Sequence, residues 1–255
     1  MRFNYVNFWK IITSFAGLFV LSGCLIAMSS YEPEAFGRAK TFAIVTIAAS
    51  PEINVAGAGS AGGGFTLSGL FKSASSESGY SSGADRILTD TVPVIVVELG
   101  KSRHFRLTQS GWVQQHKAYR AAAGDDPKKF MISFLVPKGY KYFDTEEKLA
   151  GLAKGMNVDA VIVVHVTYSA AFTGVGAAGL VAAGKHSGKV TMSLSAVDRR
   201  GKVVWKDAVE IASDDSIGTL GESANFAKLH PLLVDAARAA SRKLLDNLNT
   251  KVAAL

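Results

Sequence analysis

The chain has 255 residues, 48% of them apolar and 19% charged, with 28 basic against 21 acidic side chains. The basic residues, among them Arg38, Lys40, Lys101, Arg103, Arg106, Lys128, Lys129, Arg199 and Arg200, are dispersed. That excludes the basic runs interleaved with aromatics that mark nucleic-acid binders, while the apolar fraction is enough for one sizeable core.

The first residues read as a leader. Arg2 and Lys10 supply a positive n-region, residues 11–20 a short apolar h-region, and the small residues Ser22 and Gly23 lead to Cys24, the single cysteine. The apolar stretch falls short of the roughly 20 residues a transmembrane helix needs. The run Leu21-Ser22-Gly23-Cys24 resembles the lipobox of bacterial lipoproteins. The resemblance implies that residues 1–23 are a lipoprotein signal peptide cut between Gly23 and Cys24. It further implies a diacylglycerol on the Cys24 thiol and an N-acyl chain on its amino group, with no other cofactor. An uncleaved N-terminal anchor, or a chance cysteine in a secretory leader, are the competing readings. Leu25, in place of the Asp that retains enteric lipoproteins at the inner membrane, implies the outer membrane and a periplasm-facing domain. One acyl chain, at about 0.8 kcal/mol per buried CH2, binds only marginally, whereas three anchor stably. Acylation also removes Cys24 from disulfide or zinc chemistry.

Residues 24–39 read as a lipidated tether, since Ser29, Ser30, Pro33 and the acidic residues show no helix or strand period. Residues 40–255 then form one α/β (α+β) domain. Residues 41–48 are a β-branched apolar run, the pattern of a buried strand. Residues 50–83 are Gly/Ala/Ser-rich and read as a flexible insertion. Over residues 84–100, Ile87, Leu88, Val92, Ile95, Val96 and Leu99 have helical spacing and Gly100 supplies a stop, although Pro93 and its β-branched neighbours make a strand over 92–98 the competitor. Residues 105–107 follow as a short strand, and Ser110 caps a helix running through Ala123. Asp144 reads as the cap of a helix with Glu147 in its first turn. Residues 158–166 are the central strand, covered on both faces. A second Gly/Ala/Ser-rich insertion spans about 169–188. Val190, Met192, Leu194 and Ala196 then alternate with polar residues, and the Asp198-Arg199-Arg200-Gly201 turn returns the chain as a hairpin. A long C-terminal helix closes the chain, with Leu229, Leu232, Leu233, Ala236, Ala240, Leu244 and Leu248 on one face and Pro231 in its first turn. A mixed β-sheet with helices packed on it is the economical fold.

Leu152, Val158, Asp159, Ala160 and Val161, followed by Asp198, Gly201, Val203 and Trp205, resemble the periplasmic domain shared by curli-secretion-channel (CsgG-like) lipoproteins and the N-terminal domain of the Tol translocation protein. The resemblance implies an envelope protein that self-associates or binds an export apparatus. In the curli channel, inserted hairpins build a barrel. Residues 170–184 lack the alternation a membrane strand needs, so a loop is the plainer reading.

No catalytic set emerges. Gly57, Gly59 and Gly62 match a dinucleotide fingerprint literally, but no helix follows at once to meet a pyrophosphate, so they read as loop composition. The five histidines, His104, His116, His165, His186 and His230, show no metal spacing, and no Ser lies in a nucleophile elbow. Trp112, His116 and Tyr119 at helical spacing, with Tyr140 and Tyr142, form a candidate partner-binding face, core packing being the alternative. The sequence therefore reads as a non-enzymatic accessory or structural lipoprotein of envelope assembly or export, acting on an envelope partner or as a homo-oligomer. A ligand-binding or enzymatic lipoprotein and an oligomeric secretion pore are the alternatives.

Overall fold

The computed structural model describes residues 29–56, 83–129, 132–175, 183–220 and 226–254. The leader, Gly23, Cys24, Gly57, Gly59, Gly62 and most of the first Gly-rich segment lie outside them.

Among the described residues the elements are β1 (Ser30–Tyr31), α1 (Pro33–Arg38), β2 (Thr41–Ala49), β3 (Asn54–Ala56), α2 (Gly83–Leu99), β4 (Arg106–Leu107), α3 (Ser110–Gln115), α4 (Lys117–Ala121), β5 (Lys128–Lys129), β6 (Ile132–Ser133), α5 (Glu146–Gly155), β7 (Ala160–Val175), β8 (Ala183–Asp198), β9 (Val203–Ala212), β10 (Ile217–Leu220) and α6 (Phe226–Ala253). Eight strands make the main sheet, in the order β1-β9-β8-β7-β2-β4, with β10 beside β8 and β3 beside β7. β2 is parallel to both β4 and β7, whereas β7, β8 and β9 form an antiparallel meander. This is a mixed α+β architecture with a long C-terminal helix.

Both faces of β2 are buried, and the period-2 geometry of a strand divides its residues between two cores. Phe42 and Ile44 enter a large core beneath α1, α2 and α6, and Ala43 and Val45 a smaller one beneath α3, α4 and α5. A bulge between Ile44 and Thr46 shifts the register, so Ile47 and Ala49 return to the large core. On β7, Ala160, Ile162 and Val164 face the large core, Val161 and Val163 the small one.

The helix over residues 83–99 prevails over the strand alternative. Ala84, Ile87, Leu88, Thr91, Ile95, Glu98 and Leu99 are buried as one helical stripe, and Pro93 is accommodated inside. Glu98, the buried acid of that stripe, is ringed by Lys101 (2.8 Å) and Arg242 of α6 (3.2 Å).

Five local expectations are corrected. The tether reading of residues 24–39 fails beyond Ser29. Ser30 and Tyr31 pair with Lys206 and Trp205 of β9, and Phe36 is buried among Phe42, Phe105 and Trp205 at ring separations of 5.5, 6.3 and 6.4 Å. A two-residue strand and a six-residue helix are too short to show a period, although Pro33 does mark a helix start. The helix expected through Ala123 is two short helices, because His116 adopts extended backbone between them. Thr145, not Asp144, is the N-cap residue of α5, with no side-chain cap, and the Asp144 N–H instead donates to Asp125 at 3.1 Å. Pro231 is the sixth residue of α6 rather than lying in its first turn. The described residues of the second Gly-rich segment are paired strand, Ser169 facing Lys189 and Val175 facing Ala183, because the meander simply continues outward.

The Asp198 turn behaves as its residues require. The Asp198 Oδ1 accepts from the N–H groups of Arg200 (2.8 Å) and Lys202 (2.9 Å), and Gly201 takes the left-handed conformation at φ +84°.

Asp159 fastens the start of β7 to β2. Its Oδ2 accepts from Lys40 N, Thr41 N and Thr41 Oγ1 at 3.0, 2.9 and 2.8 Å. Burial pushes its carboxyl up, but these hydrogen bonds and the nearby Arg199 hold it below the usual range. A depressed carboxylate contributes stability above its unfolded pKa, near 3.9, and loses it as pH falls through the folded value. Asp159→Asn is therefore expected to cost about 1–2 kcal/mol at neutral pH. That difference should shrink as pH falls below the unfolded pKa, read from urea midpoints across the acid range.

Candidate functional site

The aromatic residues singled out by sequence divide into two groups, and Tyr119 lies in the small core whereas Tyr140 packs against the large one. Trp112 projects from α3 with 43% of its surface exposed. Its ring lies 4.7 Å from that of His116, tilted by 43°. His116 ends α3 by donating its N–H to Trp112 O at 2.9 Å and opens α4 by accepting from Ala118 N at Nδ1, 3.2 Å. One histidine thus caps a helix and orients the neighbouring indole.

Tyr119 belongs to the second group. The break at His116 turns it inward, and it is 1% exposed. Its hydroxyl donates to Val45 O at 2.9 Å and accepts from Lys141 N at 2.7 Å. Burial, opposed by the Lys141 hydrogen bond, drives its phenol well above the ordinary range. Tyr142 is also buried, stacked on Phe134 at 5.3 Å with its edge toward His165 at 5.9 Å. Tyr140 is half-buried and donates to Ser110 Oγ at 3.0 Å, tying the strap of residues 140–143 to the start of α3. Burial raises both phenols, Tyr142 further so by the nearby Asp144 and Asp125. The expected single face carrying Trp112, His116 and Tyr119 is therefore corrected, since buried Tyr119 and Tyr142 are closed to a partner.

Sequence reading missed what holds this arrangement. Lys141 Nζ donates to the carbonyls of Tyr119, Arg120 and Ala122 at 3.0, 2.8 and 2.7 Å, satisfying the open end of α4. The buried Thr46 hydroxyl donates to Lys141 O (3.0 Å) and accepts from Phe143 N (3.1 Å). A lysine followed by aromatics was the available signal, but its three acceptors are backbone groups invisible to sequence pattern. Asp125, paired with Lys148, sits beside the strap. Burial raises its carboxyl, and the hydrogen bonds from Lys148 and Asp144 outweigh that and hold it low.

Tyr119→Phe leaves Val45 O and Lys141 N without their buried partner and is expected to cost about 1–3 kcal/mol in urea unfolding. Trp112→Ala, on the exposed side of the same helices, should change stability by less than about 0.5 kcal/mol.

His165, at the rim of the small core, packs against Phe134 at 5.3 Å, and burial lowers its pKa against the opposing charge of Asp144. Among the described residues no three His, Cys, Asp or Glu side chains are placed to hold a metal ion, and no helix is long and apolar enough to cross a membrane.

No family model matches the chain, and no curated protein matches it in sequence. Among solved structures it is similar to the LpoB C-terminal domain from Salmonella enterica, at 11% identity over 68% of this chain and 82% of that one, with a TM-score of 0.30. It is also similar to the hypothetical protein CT253 from Chlamydia trachomatis, at 11% identity over 84% of this chain and 95% of that one, with a TM-score of 0.32. Neither is described as a curli-channel or Tol protein, and at such scores neither carries a function to this chain.

Proposed function

We propose that the protein is an outer-membrane lipoprotein, cut between Gly23 and Cys24 and acylated on Cys24, whose periplasm-facing domain works as a non-enzymatic accessory of envelope assembly or export. It does so by binding a protein partner through Trp112 and His116. The observation carrying this reading is the exposed indole of Trp112, held in place by a histidine whose other bonds are structural. A large aromatic that is already oriented loses little entropy on binding, and such residues dominate interface energetics.

The test is crosslinking capture from cells carrying the intact lipoprotein. An envelope partner is expected with the wild-type chain and at least tenfold less of it with Trp112→Ala; equal recovery overturns the surface. The anchor has its own arm. Cys24→Ala is expected to abolish lipid labelling and processing, and unchanged labelling overturns the lipoprotein reading.

A further inference from the structure

The outward side of α2 carries a second pattern, opposite the stripe it buries. Asp90, Pro93, Val94, Val97 and Lys101 stand at i, i+3, i+4, i+7 and i+11, the spacing of one helix face. Lys101 lies just past Leu99, but Gly100 N–H still donates to Val96 O at 3.0 Å and Lys101 N–H to Glu98 O at 3.1 Å, so the chain keeps its helical course that far. Pro93 is exposed, Val94 is half-buried, and Val97 is 58% exposed. Among the described residues Val97 and Trp112 are the exposed large apolar side chains. Straight-chain residues are the better helix formers, so local propensity does not call for valine at such a site.

Charge brackets this apolar centre with opposite signs. Asp90 is four residues before Val94, and Lys101 four after Val97. At the Lys101 end two cations, Lys101 (2.8 Å) and Arg242 of α6 (3.2 Å), share the single carboxylate of Glu98, which leaves an excess of positive charge. At the other end the Asp90 carboxylate is half exposed and meets His230 of α6 at 3.0 Å. Arg86 stands one turn further out, opposite chain beyond the end of a facing α2.

We propose that this stripe pairs antiparallel with the same stripe of a second copy, about a two-fold axis between Val94 and Val97. An antiparallel pair sets Val94 against Val97 of the other copy and Asp90 against its Lys101, each twice, which is the self-complementary form of a two-fold interface. A parallel pair would set Asp90 against Asp90 and Lys101 against Lys101, and like charges so placed repel. The charge order along the stripe thus specifies both the occupant and its direction. One helix stripe buries less than the about 800 Å2 per partner of a standard interface, so the pair is of the weak, reversible class. Neither acylation of Cys24 nor the Trp112 surface enters, so the pair stands or falls apart from the proposed function.

The experiment uses the full chain, expressed under two tags, one copy carrying Val94→Cys and the other Val97→Cys. Facing side chains of helices packed about 8–10 Å apart come within disulfide range. Mild oxidation is expected to join the two tags about tenfold more than in the control, Thr89→Cys with Val97→Cys, since Thr89 is exposed on a different side of α2. Charge reversal is the second arm. Asp90→Lys in both copies is expected to lower the link about tenfold, as is Lys101→Asp in both. Asp90→Lys in one copy with Lys101→Asp in the other restores opposite charges at both ends and is expected to recover it. Four results overturn the proposal: no link above the control, a stronger link between two Val94→Cys copies, a link to a different protein instead, or no recovery in a mixed pair that folds. Lys101→Asp also takes a cation from Glu98; where that unfolds the chain, the cysteine arm and Asp90→Lys decide alone.

Discussion

Trp205→Ala is expected to destabilise the domain by about 3–5 kcal/mol, the range for emptying a large aromatic site in a core. Trp205 is fully buried on β9, and its ring lies 6.4 Å from Phe36 and 6.1 Å from Phe105. Phe42 completes the cluster, 4.5 Å from Phe105. Three stretches far apart in sequence meet there, Phe36 to Phe42, Phe105 and Trp205, so relaxation around the cavity would have to move α1, β2, the segment before β4 and β9 together. Because stabilities of single domains run to about 5–15 kcal/mol, the loss is a large share of the whole. Urea unfolding followed by circular dichroism checks it, with Trp205→Phe as a partner variant expected to lose markedly less. A drop under about 1 kcal/mol for the alanine variant would show that the cluster does not hold these elements together.

Gly188→Ala is expected to cost about 3 kcal/mol, at the upper end of overpacking effects. Gly188 lies on β8 where α6 crosses the sheet. A Cβ there would sit 2.8 Å from both Leu232 C and Leu233 N, which are helix backbone rather than the end of a side chain. Relief requires lifting α6, and with it Leu229 and Leu233, which fill the large core. The thermal midpoint is the measurement, and a change within about 0.5 kcal/mol of wild type would mean that the helix yields without loss. The effect is a packing effect only, because Gly188 has no positive φ.

These two residues mark where sequence reading succeeds and where it stops. The stripe on α2 and the apolar run of β7 are legible because their burial has a regular period, and that period outweighs Pro93 and the β-branched content. Gly188 looked like loop composition because a sheet's close approach to a helix leaves no periodic mark. Residues 30–38 looked like a tether because Phe36 is the one large apolar side chain in a helix of six residues. At the candidate site, the composition of aromatics was legible, but the break at His116 was not, since it depends on an imidazole replacing a backbone acceptor. That break alone separates exposed Trp112 from buried Tyr119.

The pairing of β1 with β9 also bears on how the chain reaches its folded state. Glu32 N bonds to Val204 O, so a residue synthesised early waits for one far downstream in the chain. Contacts of such sequence separation slow folding, because a large loop must close before they form. The N-terminal clip and the aromatic cluster beneath it therefore act as a latch that closes late.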